Sequence, residues 1–152
     1  MGIQGKIRAE ILGRDLIELK ELPSGEQEVH FVGCAEFARQ VSDLKLKYGL
    51  SPQDWVFTND LSHSSLLLKE FILKCRGEWK VVYEAQELCH CRNVPTQAVE
   101  QAILCGARTS EQVSQWTSAS TACGTCRSHV EEILKARISL THLAQCQIVK
   151  QS

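Results

Sequence analysis

The sequence predicts an α+β N-terminal domain, a three-stranded antiparallel sheet followed by helices, joined to a small all-helical C-terminal domain. Three observations carry this. Apolar residues alternate in three consecutive stretches near the start, and from there on they recur at helical spacing. Aromatic residues then all but stop. Phe31, Phe37, Tyr48, Trp55, Phe57, Phe71, Trp79 and Tyr83 precede residue 85, and only Trp116 follows. The second domain must therefore build its core from Val, Ile, Leu and Ala in roughly 50 residues, a size that usually calls for a disulfide or a metal. The polar stretch YEAQE places the boundary, giving domains at 1–84 and 85–138. Residues 139–152 form a helix extension or tail.

The strands are read in KIRAEIL, DLIELKEL and EQEVHFVG, whose side chains alternate between a core and a solvent face. GRD and PSG between them supply turn chemistry, so the three form a meander. AEFARQVSDLKLKYG has helical spacing at Phe37, Val41, Leu44 and Tyr48 and stops at Gly49. SPQDW reads as another helix start, with Ser51 at the N-cap and Pro52 in the first turn. LSHSSLLLKEFILKCRG continues the helical period and closes on Gly77. In the second half TQAVEQAILCG, TSEQVSQWT and CRSHVEEILKARI read as three helices, the second with capping-box spacing between Thr109 and Gln112.

Composition narrows the function. The net charge of −1 leaves no basic footprint for nucleic acid. No apolar run approaches the roughly 20 residues of a membrane span, and no secretory signal opens the chain, so a cytoplasmic location is expected. No Ser/His/Asp arrangement, phosphate loop or paired carboxylates stand out, and the chain is not expected to be an enzyme.

Eight cysteines are many for this length. Cys34, Cys75, Cys105 and Cys146 are isolated, and an isolated cysteine is most often a small buried hydrophobe. The other four form close pairs, Cys89 with Cys91 and Cys123 with Cys126, in the pattern C-x-C-x31-C-x2-C. Three chemistries compete for them. Four thiolates can hold a 2Fe–2S cluster, which carries about −2 when both irons are ferric. Helix N-termini near Cys126 and near residue 95, together with Arg92 and Arg127, would offset that charge. Zinc also takes four cysteines, although its sites favour C-x2–4-C on both sides. A Cys89–Cys91 disulfide would close a strained ring, and disulfides are rare in a reducing compartment.

The segment from CHCRNV through CGTCRSHVEEIL resembles the BFD-like 2Fe–2S domain. The shared elements are C-x-C, Val94 three residues after its second cysteine, and a helix ending near Gly106. Thr109, Glu111 and Val113 follow as T-x-E-x-V, and CGTC then opens a helix. The resemblance covers residues 87 to about 136. It implies a helix-turn-helix-like fold in which Cys89, Cys91, Cys123 and Cys126 ligate a 2Fe–2S cluster. Pro95 stands where a capping Ser or Thr is expected.

The first half is similar to the scaffold domain of the NifU and IscU families, and the chain as a whole to a NifU-like protein. GRDLIELKELPSGEQEVHFVGC carries the strand–hairpin–G-C pattern, and LSHSSLLL resembles the scaffold's H-C segment. Carried over by position, Asp15, Cys34 and His63 match scaffold residues. Gly13 and Ser64 stand where two further cysteines would be. The resemblance therefore implies a degenerate scaffold that retains, at most, a three-ligand metal site at Asp15, Cys34 and His63. The function expected is 2Fe–2S binding in iron–sulfur cluster assembly or iron handling, with assembly proteins as partners. Two alternatives stand beside it: a single-electron carrier docking a redox partner, and a zinc-stabilised interaction module.

Overall fold

A computed structural model describes residues 6–58, 60–122 and 124–138. They fall into two compact units that divide between Lys80 and Val81.

The first unit opens with the expected meander. Strands β1 (Ile7–Ile11), β2 (Asp15–Glu21) and β3 (Gln27–Val32) pair antiparallel in sequence order. The register sets Ala9 opposite Ile17 and Leu19 opposite Val29. Because side chains alternate across a strand, Ala9, Ile11, Ile17, Leu19 and Val29 form one buried face. That face packs on α2 (His63–Cys75), which also meets α1 (Ala35–Tyr48). Helix α2 is the centre of the unit. It is buried from Ser64 to Leu73, and Leu67, Phe71 and Ile72 are fully enclosed. Trp55 lies tilted against Phe71, their ring centroids 6.3 Å apart, and its indole N–H donates to the Gly49 carbonyl at 2.8 Å.

SPQDW departs from expectation. It forms only a short 3-10 turn, Pro52–Asp54, and the Ser51 side chain caps nothing. The chain then runs extended at Trp55, because burying that indole outweighs continuing a polar turn.

The second unit holds β4 (Glu87–Cys89), β5 (Val94–Pro95), α3 (Thr96–Cys105), α4 (Ser110–Thr117) and α5 (Arg127–Ile138). The three helices pack on one another around Val99, Ile103, Val113, Val130 and Ile133. The expectation of an all-helical domain is corrected here by the short antiparallel hairpin β4–β5. Two cysteines one residue apart need an extended or looped backbone, and the hairpin supplies it, with Cys89 at the end of β4 and Cys91 in the turn. Asn93 closes the hairpin turn at φ 52°, a conformation asparagine tolerates better than most residues. Pro95 is the N-cap of α3 and makes no side-chain cap. The first helical residue compensates, since the Thr96 backbone N–H donates to Gln86 at 2.8 Å and its hydroxyl to Ala85 at 2.5 Å. No helix among the described residues is long and apolar enough to cross a membrane.

Candidate metal centres

The paired cysteines of the second unit lie on two loops, each at the edge of a regular element. Cys89 ends β4, and Cys91 follows in the hairpin turn. Cys126 immediately precedes α5, and its carbonyl already accepts the first helical bond, from Val130 at 3.1 Å. Cys89 and Cys126 are buried members of the unit's apolar core, while Cys91 is exposed. Cys123 lies outside the described residues.

The two loops converge on sulfur. The Cys89 thiol is held below its ordinary pKa, chiefly by the backbone N–H of Ser120. Burial opposes this, and the Arg92 N–H, the Cys126 side chain and the Cys91 N–H reinforce it. The Cys126 side chain and the backbone amides of Ser120, Arg92 and Cys91 thus all favour the Cys89 thiolate. Ser120 serves both loops, because its hydroxyl also lies 3.0 Å from the Cys126 sulfur. It reaches both by adopting a left-handed backbone, φ 63°, two residues after Ser118 does the same at φ 68°. The Arg92 guanidinium donates to the Thr121 hydroxyl at 3.1 Å and ties one ligand loop to the other.

Arg127 acts differently from the sequence expectation. Its guanidinium is directed at Glu111, 2.7 Å away, and Glu131, 3.2 Å away, and so braces α4 against α5. His90 is exposed, with Nδ1 3.4 Å from Glu87. His129 lies tilted against Tyr83 with ring centroids 4.7 Å apart. Ser120 was not singled out from the sequence; the run SASTA before CGTC gives no sign of its left-handed turn.

The donor set fits an anionic metal–sulfur group. The ligand atoms are soft sulfurs, two are sequestered in apolar core, and backbone amides already stabilise negative charge on one of them. Comparison with known families decides which group it is. Residues 88–136 match the BFD-like [2Fe-2S] binding domain. The cofactor of this unit is a 2Fe–2S cluster. Bound there, such a cluster accepts and returns single electrons. Cys89, Cys91 and Cys126 would hold it together with Cys123, and the Ser120, Arg92 and Cys91 amides would donate to ligand sulfur. The matched segment covers about a third of the chain and none of residues 1–87. No curated protein and no solved structure matches the chain.

In the first unit a second constellation assembles where three elements begin. Asp15 is the first residue of β2, Cys34 is the N-cap of α1, and His63 is the first residue of α2. One ligand atom from each lies within 4.8 Å of the others. The Cys34 sulfur is 3.3 Å from His63 Nε2, and Asp15 Oδ2 is 3.4 Å from the same nitrogen. The Cys34 backbone N–H donates to Asp15 Oδ1 at 2.8 Å. That fixes the carboxylate and leaves Oδ2 buried with no hydrogen-bond partner.

Gly33 makes the approach possible. A Cβ there would run into the Asp15 carboxylate and come within 2.6 Å of the Phe37 ring. Ser64, fully buried, sets its hydroxyl 3.1 Å from His63 Nε2. Gly13 lies in the β1–β2 turn at φ 72° with open space around it. Sequence reasoning named Asp15, Cys34 and His63; it gave no role to Gly33 or to Arg14, whose guanidinium borders the group.

Proposed function

We propose that the protein acts in iron–sulfur cluster assembly or iron handling, with the first unit presenting a single metal ion and the second a 2Fe–2S cluster. The supporting observation is that one chain carries both the cluster-binding domain and the Asp15–Cys34–His63 group. Sulfur, imidazole and carboxylate are the donors that zinc and ferrous iron accept. A buried carboxylate oxygen without a hydrogen bond is costly unless a cation meets it. His63 Nε2 faces Asp15, Cys34 and Ser64 at once, and a neutral imidazole nitrogen offers either one proton or one lone pair to the three of them. On this reading the metal of the first unit is cargo, the partners are iron–sulfur assembly proteins, and the chain descends from a NifU-like arrangement with a reduced scaffold domain.

The experiment is cluster transfer. Cluster-loaded protein is mixed with an apo-ferredoxin, and the ferredoxin's own spectrum is followed after separation. Transfer within minutes supports the assembly role. A second reading, single-electron exchange with a redox partner, draws on the exposure of Cys91, which brings one ligand to the surface. Retention of the cluster through rapid, reversible reduction would favour that reading and sink the first.

A further inference from the structure

The metal group of the first unit has three protein ligands, and the feature beside it is a cation. Arg14 lies in the β1–β2 turn, half exposed, with its Nε 3.7 Å from Asp15 Oδ2 and a terminal nitrogen 3.5 Å from His63 Nδ1. The guanidinium therefore spans from the carboxylate to the far edge of the imidazole. At 3.7 Å it does not satisfy Oδ2 by hydrogen bonding. Its charge remains next to the place a metal would occupy.

Resting on the metal-site reading above, we propose that this site holds its ion with one coordination position left to an exogenous small anion, retained by Arg14. Closed structural sites of zinc have four Cys or His ligands, whereas sites with three protein ligands keep a position for water or a substrate. The fourth neighbour here, Ser64, offers a neutral hydroxyl, which is not among zinc's usual donors. Charge points the same way. A divalent ion on one thiolate, one carboxylate and a neutral imidazole is a neutral centre, and Arg14 leaves one positive charge over. A monoanion bound to the metal cancels it. Guanidinium is suited to this role because it donates in a planar fork and keeps its charge at all working pH values. The N-terminus of α1, where Cys34 is the cap and accepts the Phe37 N–H at 3.5 Å, adds its dipole in the same sense.

Cobalt with azide as the probe anion tests this on the full chain with its cluster in place. Oxidised 2Fe–2S clusters are diamagnetic, so high-spin cobalt is read without interference by electron paramagnetic resonance. The expected result is one cobalt ion per chain, lost in Cys34→Ala and His63→Gln, with a spectrum that azide changes saturably. Arg14→Gln should weaken azide about fivefold, in line with a partly exposed ion pair, and Arg14→Lys should recover most of the loss. Raising the ionic strength should weaken azide in the parent and much less in Arg14→Gln. Cobalt that binds but ignores azide overturns the open position and leaves the metal site standing. Unchanged azide affinity in Arg14→Gln overturns the role of Arg14. Failure of the parent to bind cobalt overturns the metal-site reading beneath both.

Discussion

Single residues decide both metal-capable groups, and glycine 33 shows how. The turn from β3 into α1 must bring the Cys34 amide within 2.8 Å of the Asp15 carboxylate, and any side chain at position 33 stands in that path. Gly33→Ala should destabilise the first unit by about 1–3 kcal/mol, the usual penalty for overpacking, and displace the carboxylate. Chemical denaturation measures the first effect, and loss of cobalt binding the second. The thiols separate as sharply. Burial pushes Cys75 up to about 12, so it stays protonated and unreactive toward iodoacetamide in the native protein at pH 8.5 and reacts only after unfolding. Cys89 is shifted the other way, first by the Ser120 amide. Its folded pKa lies below the unfolded value, so its contribution to apoprotein stability is present above the ordinary thiol range. That contribution is lost as the pH falls through the lowered value. The difference in denaturation midpoint between the cluster-free parent and Cys89→Ser should therefore be largest above the ordinary thiol range and narrow as the pH falls below it. A constant gap across that range would mean that the amides do not favour the thiolate.

At the scale of elements, helix caps are the most legible feature of the chain. Thr109 accepts from the Gln112 amide at 3.2 Å, and the Gln112 side chain accepts from the Arg108 amide at 2.7 Å, closing a reciprocal cap on α4. With the helix only two turns long, Thr109→Ala should cost about 1 kcal/mol, read as a lower melting temperature of the second unit. Local rules were enough for such elements. Alternation and turn residues located the meander to within a residue or so at each end, and the glycines at 49 and 106 ended their helices as expected. What local rules missed was set by contacts distant in sequence. SPQDW has a helix-start signature, yet it stays a single 3-10 turn because Trp55 is drawn into the core against Phe71 on α2. The β4–β5 hairpin is too short to show a period. The metal groups follow the same division. Ligand spacing is a sequence property, so the cysteine pairs could be read directly. The reach of Ser120 to two sulfurs depends on two left-handed residues, and the position of Arg14 depends on how a hairpin turn meets α2.

For the molecule as a whole, the two units divide the sources of stability. The first buries Trp55, Phe37 and Phe71 around α2, and large aromatic side chains of this kind each contribute a few kcal/mol when enclosed. The second has no aromatic residue in its buried core, and two of that core's members, Cys89 and Cys126, are among the cysteines that would hold the cluster. Metal binding and folding are coupled when ligands belong to the core, so the second unit should depend on its cluster by several kcal/mol while the first does not. Cys91→Ser isolates this dependence, because Cys91 is exposed and its replacement leaves the apolar packing untouched. The variant should lose the red-brown colour, together with equal amounts of iron and acid-labile sulfide. Its helical circular dichroism should then melt in two steps, the earlier one being the second unit. With Trp79 and Trp116 replaced by Phe, fluorescence of the buried Trp55, whose indole is hydrogen-bonded inside the first unit, should follow the later step at the temperature of the same double variant with Cys91 intact. A single transition shifted downward as one would show that the two cores unfold cooperatively. A retained colour would show that Cys91 is not a ligand.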